Sequence, residues 1–155
     1  MNMKNYTKAL IVVAAVCGII VLSSCKKTND YSYITEVERI ELLRTDKSWD
    51  GVKLPDYPQG SPEIVAMKYV IPAGQKLEKH HHEVLNHGVL VQGELTIVGL
   101  DGKTKVLREG EVIVEMVNSV HHGENRGKDP VVLYMFYVSQ KGLPLSVSYP
   151  DILQD

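Results

Sequence analysis

The chain has 155 residues, enough for one domain with a sizeable core, and 17 Lys and Arg against 19 Asp and Glu give a net charge of −2. No basic stripe runs through it, which excludes nucleic acid as a partner. Both cysteines, Cys17 and Cys25, fall before the domain begins, so packing rather than a disulfide must stabilise it.

Lys4 and Lys8 precede an uncharged apolar run over residues 9–22, the length of a signal-peptide core and short for a membrane-spanning helix. The run ends in Leu22-Ser23-Ser24-Cys25, which resembles the lipobox of bacterial lipoproteins. That resemblance implies a signal peptide over residues 1–24, lipidation of Cys25, and a place in the bacterial cell envelope, on the periplasmic or outer-membrane side. Contact with the membrane would run through the N-terminal lipid only. Each buried acyl methylene contributes about 0.8 kcal/mol, so two or three chains hold a soluble domain at a surface almost permanently. Loss of residues 1–24 removes two lysines and no acid, which leaves the mature chain at −4.

Residues 25–32 read as the lipidated cysteine and a polar tether. Residues 33–62 form an N-terminal strand, over 33–44, and a proline-rich arm around Trp49, with Pro55, Pro58 and Pro62. Prolines block ladder hydrogen bonds, so the arm is an ordered loop. Its aromatics, Trp49 and Tyr57, suit a plug on a sheet edge or a dimer contact better than the mouth of a pocket.

Residues 63–149 read as strand, turn, strand throughout. Strands are expected over 63–71, 76–82, 88–92, 94–98, 103–107, 111–116, 120–125, 131–138 and 145–149, with Asp101-Gly102 closing a hairpin. Residues 131–138 (VVLYMFYV) are apolar at every position, the pattern of a strand covered on both faces. Short strands, frequent turns and no convincing helix give an all-β sandwich or barrel, followed by a C-terminal tail over 150–155.

All six histidines fall within residues 74–93 and 110–125. Alternation on a strand puts His80 and His82 on one face and His81 on the other. Two imidazoles on one face are half a metal site, and His121 on a neighbouring strand is the candidate third ligand.

The two stretches resemble the paired motifs of the cupin superfamily. Gly74, His80, His82, Asn86 and Gly93 keep the spacing of the first motif, with asparagine where glutamate is usual. Gly110, His121 and Asn125 keep that of the second, with Met116 and Asn118 replacing a proline and a glycine. The resemblance covers residues 63–138 and implies a double-stranded β-helix, the jelly-roll or cupin barrel, as a single domain.

It also implies one divalent metal ion, Fe, Mn, Zn or Ni, held by His80, His82 and His121, with Asn86 in the fourth position and His87 as the alternative. A neutral amide there leaves the ion at +2, a site suited to an anionic chelating ligand. Tyr69, Tyr134 and Met116 are candidate pocket lining, with Tyr137 beside them. His81 and His122 are expected at the surface or behind the ligands, and His87, Glu83, Glu115 or a tyrosine is left as the candidate base. Two functions remain open: a dioxygenase-like or isomerase-like metalloenzyme for a small oxygen-rich or anionic metabolite, and a non-catalytic metal- or sugar-binding module. The apolar last strands and the arm suggest a homodimer.

Overall fold

The structure is a computed structural model and describes residues 31–149. The signal peptide over 1–24, Cys25 and most of its tether, and the tail over 150–155 lie outside the described residues. Contacts divide the chain into two units, residues 1–38 and 39–155. In the first, the Ile34 amide donates to the Tyr31 carbonyl at 3.0 Å, which closes a turn.

The strand expected over 33–44 does not form. Val37, Ile40 and Leu42 are all exposed. Their spacing fits neither a helix nor a strand, so no single face of the segment is apolar enough to bury.

The second unit holds nine strands among the described residues: β1 (Pro62–Ile71), β2 (His80–His81), β3 (Leu85–Gln92), β4 (Glu94–Gly99), β5 (Thr104–Arg108), β6 (Val112–Val114), β7 (His121–Glu124), β8 (Val131–Gln140) and β9 (Val147–Ser148). They form two sheets, β1-β8-β3-β6 and β5-β4-β7-β2-β9, and every strand pair is antiparallel. β3 starts three residues earlier than the sequence suggests, because Leu85, Asn86 and His87 find partners in Val138, Tyr137 and Phe136 of β8. β2 is shorter than expected. Only His80 and His81 pair as a strand, with isolated bridges at Lys76 and His82 on either side.

Alternation along β8 decides the core. Val131, Leu133, Met135 and Tyr137 are buried and meet Leu95 and Ile97 of β4, Leu107 of β5 and Leu90 of β3. The expected cover on the other face is not found within the unit: Tyr134 and Phe136 are 37% and 38% exposed, beside exposed Ile64 and Val70 of β1. Trp49 packs partly buried against the core, and its amide donates to the Val114 carbonyl at 3.0 Å, so it caps the free edge of β6.

Two tight bends set the strands that carry the site. Gly93 (φ 84°) links β3 to β4 where a Cβ would meet the Pro130 carbonyl at 3.2 Å. Asn118 (φ 57°) takes the left-handed conformation just before β7, so asparagine does the backbone work of the motif glycine it replaces.

Candidate metal centre

His80 on β2 pairs directly with His121 on β7. His82, two residues on, bridges Val117 and points the same way as His80. The three rings stand with centroids 4.7 to 5.2 Å apart, and one ligand nitrogen from each lies within 4.8 Å of the others.

Each imidazole is tied down from behind. Nδ1 of His80 donates to the Glu78 carbonyl at 2.8 Å, Nδ1 of His82 to Leu145 at 2.7 Å, and Nδ1 of His121 to Ser119 at 2.9 Å. A proton committed to Nδ1 leaves Nε2 with its lone pair, which is the form that binds a metal. Nε2 of His82 and of His121 are buried with no hydrogen-bond partner. Such orphans are rare in native folds, and here they share one point in space with a third imidazole. This donor set fits a divalent first-row metal.

A carboxylate accompanies them. Glu115, just past β6, places Oε2 2.9 Å from Nε2 of His82 and 3.8 Å from Nε2 of His121. The shorter approach has the distance of a hydrogen bond but not its direction, since the His82 nitrogen remains unpartnered. Burial pushes the Glu115 carboxyl up, but His121 and His82 beside it outweigh burial and hold it well below the usual carboxylate range. His121 shows the converse: burial pushes it down, and Glu115 brings it above its ordinary value. Burial lowers His80, which favours its neutral form.

The cluster opens into a cavity of about 250 Å³ between the sheets, walled by Leu77, Leu95, Ile97, Leu133 and Met135. Tyr69 and Tyr137 line it together, their hydroxyls hydrogen-bonded at 3.0 Å.

Other expected site residues lie elsewhere. Tyr134 points outward from β8, and Met116 lines a separate pocket with Leu100 and Asn118; strand alternation gives the cavity position to Tyr137. His87 is exposed and stacks on Phe136, 5.6 Å between centroids. Asn86 is 1% exposed, with both amide atoms unpartnered, but does not line the cavity. His81 bonds the Tyr149 hydroxyl at 2.9 Å, and His122 pairs with Glu124 at 2.7 Å. Asn125, a position of the second motif, is buried and donates to the Ile71, Pro72 and Asp129 carbonyls.

Glu115 stood in the sequence only as one of several candidate bases. Its signal was there: it follows Ile113 on the inward alternation of an apolar strand, where a carboxylate needs a reason to be.

Residues 67–137 match the family profile Cupin_2, described as a cupin domain. This stretch is a cupin domain. The cupin barrel is similar in fold to the DMSP lyase DddQ from Ruegeria pomeroyi DSS-3, with 17% identity, a TM-score of 0.50, and coverage of 57% of this chain and 44% of that one. It is similar also to an oxalate oxidase in complex with the substrate analogue glycolate, with 24% identity, a TM-score of 0.50, and coverage of 56% of this chain and 46% of that one. The chain thus spans less than half the length of either. No curated protein matches the sequence. Gly74, Gly93 and Gly110, the cupin-motif glycines, all have positive φ, as turn positions require.

Proposed function

We propose that this cupin domain is a metal-dependent enzyme acting on a small oxygen-rich or anionic metabolite, of the dioxygenase or isomerase kind. One observation carries the reading: three imidazole Nε2 atoms, their tautomers fixed, converge on the wall of a cavity large enough for a small metabolite. His80, His82 and His121 would hold the ion. An ion there polarises a carbonyl or carboxylate oxygen or, if it is iron, supplies redox chemistry.

The remaining work belongs to the chain. The Nδ1 bonds to backbone carbonyls keep the imidazoles in place before any ligand arrives, which avoids reorganisation. Leu95, Ile97 and Leu133 exclude water and strengthen charge interactions inside the cavity. Burial, aided by Tyr69, keeps the Tyr137 hydroxyl protonated, so the tyrosine pair donates a hydrogen bond to a substrate oxygen and orients it.

A non-catalytic binding module is the second reading. It is favoured by the lining itself, in which every histidine belongs to the cluster and none is left over as a base. Attachment through Cys25 in the cell envelope and self-association through the exposed Ile64, Tyr134 and Phe136 face complete the proposal. A monomer in sedimentation at micromolar concentration would remove the last element.

The test is elemental analysis of protein purified without chelators, followed by turnover assays on small carboxylates. Glycolate, the substrate analogue held by the oxalate oxidase neighbour, is the first ligand to try in binding. Near-stoichiometric metal with turnover supports the enzyme, ligand binding without turnover, with or without metal, supports the module, and a protein with neither metal nor ligand binding overturns both.

A further inference from the structure

The three-histidine arrangement leaves Glu115 unexplained. Its side chain is only 12% exposed, and both of its ion pairs are with cluster histidines rather than with a lysine or arginine. A buried carboxylate needs a compensating charge. With Nδ1–H spent on the Leu145 and Ser119 carbonyls, His82 and His121 turn Nε2 towards Glu115, yet neither of these buried nitrogens makes a hydrogen bond to it.

A cation among these atoms removes the conflict. Two ligands each about 2.1 Å from one ion, in adjacent coordination positions, stand roughly 3.0 to 3.4 Å apart. The 2.9 Å from Glu115 Oε2 to His82 Nε2 is close to that spacing, and the 3.8 Å to His121 Nε2 is only slightly longer.

Resting on the metal-centre reading, the geometry points to Glu115 as the fourth protein ligand of the ion held by His80, His82 and His121. The chain then binds its metal with three imidazoles and one carboxylate, and the ion keeps a net charge of +1 rather than the +2 that a neutral fourth position implies. Asn86 also gains a reason. It sits one rung away across the β3–β6 ladder, where the Glu115 amide donates to the Asn86 carbonyl at 3.2 Å. A second carboxylate on that rung would repel the first in a buried setting, whereas an amide does not.

The experiment is a cobalt(II) titration of the purified wild-type chain and of Glu115→Gln, read by the visible ligand-field spectrum and by affinity, with circular dichroism to confirm folding. Wild type is expected to bind one equivalent. Glu115→Gln should bind at least about tenfold more weakly, the scale reached when even a ligand's outer partner is lost, and its spectrum should change. Unchanged affinity and spectrum would overturn the assignment while leaving the metal centre standing. A wild type that takes up no cobalt would instead overturn the metal centre itself, and the assignment with it. Should Glu115→Gln fail to fold, a crystal structure of zinc-loaded wild type decides: a Glu115 oxygen at about 2.0 to 2.2 Å from the ion supports the assignment, and a carboxylate outside bonding distance sinks it.

Discussion

His80 lies directly opposite His121 across the β2–β7 ladder, their ring centroids 4.7 Å apart. The pairing brings together residues 41 positions apart in the chain. Replacement of His121 by alanine is expected to reduce bound metal well below the wild-type content, measured by elemental analysis after dialysis, since the ion loses one of its ligands.

Metal removal is expected to lower thermal stability. An ion that binds only the folded chain stabilises it by about 2.7 kcal/mol at a hundred times its dissociation constant. Scanning calorimetry with and without a chelator should therefore show a lower Tm in the chelated sample. The difference should shrink in His82→Ala, whose site has lost a ligand.

Gly88 on β3 faces the cavity-lining Met135. A Cβ there would stand 2.1 Å from the Met135 sulfur and 2.5 Å from the Tyr134 carbonyl oxygen. The sulfur can swing aside but the carbonyl belongs to the neighbouring strand. Gly88→Ala is expected to destabilise the fold by about 1 to 3 kcal/mol in urea denaturation, and to narrow the cavity where Met135 is displaced.

Asn125 is the clamp behind the metal strands. Its amide serves three carbonyls, and its side-chain oxygen accepts from the Gly127 amide at 3.0 Å, all at 2% exposure. Asn125→Ala leaves those groups unpaired and is expected to lower stability by about 2 to 4 kcal/mol in the same assay, more than a surface asparagine would.

Acid should act on Glu124. Hydrogen bonds from His122, then from Arg126, hold its carboxyl at about 2, against an ordinary 4.5. A carboxyl lowered in the folded state contributes stability above its ordinary value and loses that contribution as pH falls through the folded one. The stability gap between wild type and Glu124→Gln, followed by urea denaturation, should thus be full above about pH 4.5 and close as pH approaches about 2.

The sequence by itself determined the strand character of residues 63–149 and the shared face of His80 and His82, because alternation is a local property of extended chain. It also carried the turns at Gly74, Gly93 and Gly110, whose positive φ any L side chain resists. Only the tertiary structure decided which long-range neighbours meet. It left residues 33–44 without a ladder, kept Tyr69 and Tyr137 of the expected lining at the cavity while turning Tyr134 and Met116 away from it, and set Glu115 against His82. Strand register fixes such encounters, and register follows from the burial of both sheets together, a sum over distant residues that no single segment contains.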